Sequence, residues 1–167
     1  AAAWLIPAKP WLYDVYAKQQ YATVFYQETE LVSVEQLELT TNCRVELLKP
    51  EWTVEVFDFF NEQLLKKPYA ILHTEEDFKV VLGALQLEHG RVLVAFTAEQ
   101  ISGVALVTSE GKMLELLTNS ATEHAALLRE VGARYDLEVV TCVVEPVSAA
   151  KKPLGMLRVI SAEKLLK

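Results

Sequence analysis

The stretch RVLVAFTAEQISGVALVTSEGKMLELLTNS, residues 91–120, decides the fold. Arg91 to Thr97 and Ile101 to Thr108 are rich in Val, Leu, Phe and Ile, side chains that suit a pleated, half-buried surface. Ala98-Glu99-Gln100 between them is a hairpin-sized link, and Ser109-Glu110-Gly111-Lys112 is a second turn into Met113 to Leu117. β-Rich runs joined by short turns predict an antiparallel meander. Ser120 and Glu123 then stand at capping-box spacing, which predicts a helix running to about Arg134. Leu137 to Val144, apolar but for Glu138 and Thr141, reads as a buried strand.

Upstream, Cys43 to Leu48 reads as a strand. Pro50 opens a helix over about Glu51 to Leu65, with Val56, Phe57, Phe60 and Leu64 on one face, and Pro68 ends it. Phe57, Phe59 and Phe60 read as a core stripe rather than a cofactor box. Thr74 caps a helix over Glu75 to His89, with Phe78, Val81, Leu82 and Leu85 facing inward, and Gly90 stops it. Gln27 to Asn42 is polar and acidic and reads as a connector with one short ordered turn. Past Pro146 and a flexible stretch containing Lys151-Lys152-Pro153, Gly155 to Ile160 is a last strand and Ser161 to Lys167 begins a helix.

The first residues behave differently. Trp4 to Pro7 is a short strand end. Pro10 suits a first helical position, and Trp11, Leu12, Val15 and Tyr16 recur at helical spacing through Gln19. Tyr21 to Tyr26 is β-rich. This strand–helix–strand piece is too small to bury its own faces, so it reads as the end of a folding unit that begins elsewhere. The chain opens without Met, in keeping with a trimmed sequence. An orphaned piece of this kind has to pack on something, a neighbouring copy being one option.

The chain has 167 residues, 51% hydrophobic and 23% charged, with a net charge of −7. That is a globular profile with room for one sizeable core. The negative charge disfavours nucleic acid and anionic membranes as partners. No apolar run is long enough to cross a bilayer as a helix. Cys43 and Cys142 are far apart in strand-like runs and read as buried free thiols of a reducing, cytoplasmic setting. Zinc would need more Cys and His at close spacing, so no metal is expected. His73, His89 and His124 read as surface residues. No Ser-His-Asp or Cys-His arrangement stands out.

The order from Cys43 (strand, two helices, three antiparallel strands, helix, strand, late strand) resembles the GNAT acetyltransferase fold, an α/β (α+β) class with a mixed, mainly antiparallel sheet flanked by helices. Two local sequences sharpen the likeness. Leu5-Ile6-Pro7-Ala8-Lys9-Pro10-Trp11-Leu12-Tyr13-Asp14-Val15-Tyr16-Ala17-Lys18-Gln19-Gln20-Tyr21 looks like the closing segment of a GNAT domain, with Gln20 where the family usually has Gly. Gly155-Met156-Leu157-Arg158-Val159-Ile160-Ser161-Ala162-Glu163-Lys164-Leu165-Leu166 looks like the junction of Eis-like proteins, where tandem GNAT units precede a sterol-carrier-like domain. The resemblance divides the chain into 1–30, the tail of a first GNAT unit; 31–42, a connector; 43–154, a second unit; and 155–167, the start of a C-terminal segment.

The resemblance implies an N-acetyltransferase that moves an acetyl group from acetyl-CoA to a small-molecule or peptide amine. In the family the third meander strand splays from the strand after the helix, and the cofactor lies in that gap with its pyrophosphate on the helix N-terminus. The phosphate loop there follows R/Q-x-x-G-x-G/A, because glycines let backbone N–H groups approach. The corresponding turn here, Leu117-Thr118-Asn119-Ser120-Ala121, has no glycine and no Arg or Lys. The second unit is therefore expected not to bind acetyl-CoA and to serve as a scaffold, the cofactor being held mainly by a unit outside this chain. Arg129-Glu130-Val131-Gly132-Ala133 partly mimics the loop but falls at a helix end. By resemblance Tyr16 is the candidate general acid, returning a proton to the departing thiolate, with Tyr13 and Tyr21 as alternatives. Trp11 is a candidate substrate-pocket residue, core packing being its other reading. The rival function is a non-enzymatic interaction or ligand-binding module.

Overall fold

The computed structural model describes residues 2–37, 42–67, 70–144 and 151–160. In chain order its elements are β1 (Ala2–Leu5), α1 (Leu12–Lys18), β2 (Ala22–Ser33), β3 (Arg44–Leu47), α2 (Thr53–Leu65), α3 (Glu75–Leu87), β4 (Arg91–Thr97), β5 (Gln100–Val107), β6 (Met113–Thr118), α4 (Ala121–Tyr135), β7 (Val139–Val144) and β8 (Lys152–Val159). Short 3-10 turns cover Val34–Gln36 and Pro50–Trp52. They fall into two compact units, Thr29–Val143 and the pair of segments Ala1–Glu28 and Val144–Lys167.

The larger unit holds the meander. β3, β4, β5 and β6 pair antiparallel in that order, and β7 lies parallel beside β6. The β4–β5 hairpin turns through Ala98 and Glu99, both left-handed at φ 50° and 64°, the geometry that matches the right-handed twist of the flanking strands. Neither residue is a glycine, so packing across the hairpin carries the backbone strain. One side of this sheet is covered by α2 and α3. Val56, Phe59, Phe60 and Leu64 from α2 meet Phe78 and Leu85 from α3 over Val92, Val94, Phe96, Val104, Leu106 and Leu117. The rings of Phe60 and Phe78 lie 5.2 Å apart and tilted, a geometry that adds about 0.5–1.5 kcal/mol beyond area burial.

Helix ends explain several boundaries. Thr74 and Asp77 form a full capping box at the start of α3: the Asp77 N–H donates to Thr74 Oγ1 at 3.1 Å and the Thr74 N–H to Asp77 Oδ2 at 3.2 Å. At its other end the left-handed residue is His89 (φ 59°), not Gly90. The His89 N–H bonds the Gln86 carbonyl and the Gly90 N–H the Leu85 carbonyl, a Schellman closure. Gly90 is required for another reason: a Cβ there would stand 2.4 Å from Leu85 Cδ1 and 2.7 Å from the Val107 carbonyl.

In the smaller unit β8 lies between β1 and β2, antiparallel to both, with Ala2 opposite Val159 and Ala22 opposite Leu157. The orphaned strand–helix–strand thus acquires its sheet from a strand late in the chain. α1 ends in a second Schellman closure: the Gln20 N–H bonds the Ala17 carbonyl and the Tyr21 N–H the Tyr16 carbonyl. Gln20 takes φ 67°, the left-handed position the family gives to glycine.

The structure corrects the sequence reading at several points. Gln27 to Ser33 is strand rather than connector, because β2 runs on to Ser33; its acidic residues suggest a loop, yet Glu30 and Leu31 simply occupy exposed strand positions. The expected ordered turn there is Val34–Gln36. β7 is buried at Val140 and Cys142 but exposed at Val139, so it is not buried along its whole length. His73 and His124 are half-buried, and only His89 is the surface residue expected. Both thiols are free as expected, but only Cys142 is buried and Cys43 is half-buried. The last strand, expected at Gly155 to Ile160, starts earlier, as β8 at Lys152–Val159, and pairs with β1 and β2. Pro68, the stretch around Pro146 and the helix from Ser161 lie outside the described residues.

Candidate functional site

The turn from β6 into α4 is the place where the resemblance noted in the sequence leads one to expect a pyrophosphate. β6 and β7 meet at one register pair, Met113 with Cys142, and β6 runs on from there to Thr118. The Cys142 thiol sits 3.6 Å from Met113 Sδ, and its pKa is pushed up to about 11 by burial and by the charge of Glu30. This thiol is a packing group.

At the start of α4 the chain supplies its own anion. Glu123 is 5% exposed. Its carboxylate accepts from Ser120 Oγ and, at 2.9 Å, from Thr97 Oγ1. Burial pushes this carboxyl's pKa up, but the hydrogen bonds from Ser120, its own amide, Thr97 and the Ser120 amide outweigh that and hold it below its ordinary value. Glu123 is therefore an ion at neutral pH, placed where a helix dipole favours negative charge. Ser102 Oγ extends the network, donating to Thr97 Oγ1 at 3.1 Å and the Ala95 carbonyl at 3.3 Å.

Further donors at this helix start are also engaged. The Asn119 N–H goes to the Ser102 carbonyl at 2.9 Å, the Thr122 N–H to Ser120 Oγ at 3.1 Å and the His124 N–H to the Ser120 carbonyl at 3.2 Å. Gln63 from α2 closes the outer side through its Nε2, 2.8 Å from Asn119 Oδ1. Amides that would cradle a phosphate are thus turned onto the chain itself. Cys43 borders the cluster; burial and the Glu123 charge raise its pKa, outweighing hydrogen bonds to Thr97 and Phe96, so it is a neutral thiol and a poor nucleophile.

From Cys43 a groove of about 660 Å³ extends, lined among others by Val34, Val45, Arg129, Gly132 and Leu137. The loop-like sequence Arg129 to Ala133 is helical throughout and lies in the second half of α4. Its glycine serves packing, since a Cβ on Gly132 would stand 2.6 Å from Val34 Cγ2. Arg129 Nη1 donates to the Leu37 carbonyl at 3.0 Å, closing the 3-10 turn against the helix.

In the smaller unit the tyrosines fall into different settings. Tyr16 and Tyr21 stack edge to face with centroids 5.8 Å apart, the side-chain contact that accompanies the Schellman closure of α1. Tyr13 Oη donates to the Leu154 carbonyl at 3.1 Å, and burial raises its pKa. Trp11 is 63% exposed and so is not a core residue. It precedes α1 in a turn that the Leu12 N–H closes onto the Lys9 carbonyl. Among the described residues no three His, Cys, Asp or Glu side chains converge as a metal site would require, and no helix is long and apolar enough to cross a membrane. Sequence reasoning identifies Ser120 and Glu123 as a cap but misses Thr97, Ser102, Gln63 and Asn119 as their partners. The polar ends of three otherwise apolar segments, Thr97, Ser102 and Asn119, are the signal that could have shown it.

No family model and no curated protein matches the chain. Solved structures do. A probable N-acyltransferase from Enterococcus faecalis superposes with a TM-score of 0.72 at 13% identity, covering 96% of this chain and 45% of its own. A GCN5-related N-acetyltransferase from Kribbella flavida gives 0.70 at 15% identity, covering 96% and 43%. Eis1 from Mycobacterium abscessus gives 0.59 at 12% identity, covering 99% and 48%. The fold is that of the GCN5-related N-acetyltransferases, and the chain spans less than half the length of each of these proteins.

Proposed function

We propose that the chain is part of an acetyl-CoA-dependent N-acetyltransferase of the Eis-like kind, in which the Thr29–Val143 unit is a non-catalytic scaffold. The observation that carries this reading is Glu123: a buried, ionised carboxylate stands at the helix start where the family seats a pyrophosphate, and it repels a second anion. Acetyl-CoA is then held by another unit of the protein. Tyr16 protonates the departing thiolate, with Tyr13 and Tyr21 as alternatives, and Trp11 contacts the substrate. Of the three phenols, Tyr13 is already committed to a carbonyl, which favours Tyr16. The reaction transfers the acetyl carbon from sulfur to the nitrogen of a free amine, which loses a proton while the thiolate regains one. The −7 charge suits a cationic amine in a cytoplasmic setting.

The same self-occupied helix start also supports a second reading, a non-enzymatic interaction module. Thiol release from acetyl-CoA by the whole natural polypeptide, assayed against a panel of amines, separates the two. Turnover is expected, and Tyr16→Phe is expected to lower kcat at least tenfold with KM little changed. No turnover with any amine leaves the module. Calorimetry on residues 1–167 is expected to show no acetyl-CoA binding; tight, stoichiometric heat would sink the scaffold assignment.

A further inference from the structure

Helix α1 is lightly seated. It is seven residues long and none of them is fully buried. Leu12, Tyr13 and Tyr16 are its half-buried residues, while Trp11 before it and Val15 within it stay 63% and 42% exposed. A helix with so little covered apolar area resists rolling about its axis only weakly. Two contacts oppose the roll. At the C-terminal end the Tyr16 ring meets Tyr21, which stands one residue before β2, and the Tyr21 N–H bonds the Tyr16 carbonyl. One turn earlier, Tyr13 Oη donates to the Leu154 carbonyl on β8 at 3.1 Å. Leu154 directly precedes Gly155 and Met156, which pair with Phe25 on β2 and Leu5 on β1. The acceptor therefore belongs to the strand that both neighbours hold in register. A phenylalanine at position 13 would cover the same area, so the hydroxyl adds direction rather than burial.

Resting on the reading of Tyr16 as general acid, we propose that Tyr13 is its positioning residue: the bond from the Tyr13 phenol to the Leu154 carbonyl sets the roll of α1 on β8, and with it the point to which Tyr16 presents its proton. The two tyrosines are three residues apart, about 60° around the helix, so fixing one fixes the direction of the other. A roll of about 10° carries a phenol oxygen at the end of its side chain by about 1 Å. A misplacement of about 1 Å is enough to cost about a hundredfold in rate. Tyr21 alone pins α1 at one end, and a helix held at one point still turns. The second anchor, one turn away, removes that freedom. The proton that reaches the departing sulfur is the one on Tyr16; Tyr13 keeps its own on the carbonyl. The acceptor lies 141 residues after Tyr13 in the chain, so a late strand sets the aim of an early helix.

A double-mutant cycle in the whole natural polypeptide tests this, with acetyl-CoA and the amine of the panel that turns over fastest. Tyr13→Phe is expected to lower kcat about fivefold with both KM values little changed. Tyr13→Phe/Tyr16→Phe is expected to be no slower than Tyr16→Phe alone, because a residue that acts by aiming Tyr16 then has nothing left to aim. Circular dichroism checks that each variant stays folded. A double variant about fivefold slower than Tyr16→Phe means that Tyr13 acts independently of Tyr16, and overturns the proposal. Full activity in Tyr13→Phe overturns it too, while leaving Tyr16 as the acid. A Tyr13→Phe loss exceeding that of Tyr16→Phe makes Tyr13 the acid and overturns it as well. An inert Tyr16→Phe, or no turnover with any amine, removes the underlying reading and the proposal together.

Discussion

Helices α3 and α4 are built from the same parts and use them in opposite ways. Each begins with a hydroxyl residue and a carboxylate three positions on, Thr74 with Asp77 and Ser120 with Glu123. Each also has a glycine in its interior, Gly83 and Gly132. In α3 the cap is exposed and the glycine faces open space. In α4 the carboxylate is buried in a network reaching Thr97 and Ser102, and the glycine is crowded by Val34. The same local sequence device is a helix start in one place and a filled anion site in the other. Burial makes the difference, because a water-free carboxylate must be fully partnered to remain ionised.

The contrast is breakable, and its largest expected effect is at Glu123. Glu123→Ala strands the hydroxyls of Thr97 and Ser120 and the amides at the start of α4, and should cost about 3 kcal/mol in urea unfolding. A loss no larger than that of an exposed cap would mean the network is ornamental. Gly132→Ala should cost about 1–3 kcal/mol by overpacking against Val34, while Gly83→Ala, measured in dilute solution, should stabilise by about 0.5–1 kcal/mol. Equal signs for the two glycines would erase the comparison.

Acid sharpens it further. The folded-state pKa of Glu123 is held below its ordinary 4.5, so its contribution is complete above that value and is lost as pH falls through the folded pKa. The stability gap between the native protein and Glu123→Gln should therefore be widest near neutrality and shrink below about pH 4.5; a gap unchanged at pH 3 contradicts an ionised buried Glu123. The smallest effect is at the exposed box, where Thr74→Ala should cost about 1 kcal/mol.

How far the sequence carried these conclusions follows from the same physics. The meander was legible because β-rich runs and turn lengths are local signals, and the cap at Ser120 because hydroxyl and carboxylate are three residues apart. The partners of Glu123 were not legible, since Thr97 and Ser102 come to it only through sheet pairing. The missing glycines of the turn at Leu117–Ala121 were legible, but the buried charge of Glu123 beside it was not, since its burial depends on strands distant in the chain. β2 was misread past Tyr26 because acidic residues look loop-like until the strand's exposed positions are known. Of the two readings of Trp11, core packing failed, because a helical spacing says which residues share a face, not which face is covered.

The position of β8 has a consequence for how the molecule assembles in time. The Thr29–Val143 unit is one uninterrupted segment, whereas the sheet of the smaller unit cannot close until Lys152–Val159 inserts between β1 and β2. During synthesis the continuous unit can fold first, while β1 and β2 wait as unpaired edges for a partner that leaves the ribosome after it. Closing that long loop is an entropic cost that the smaller unit carries and the continuous unit does not.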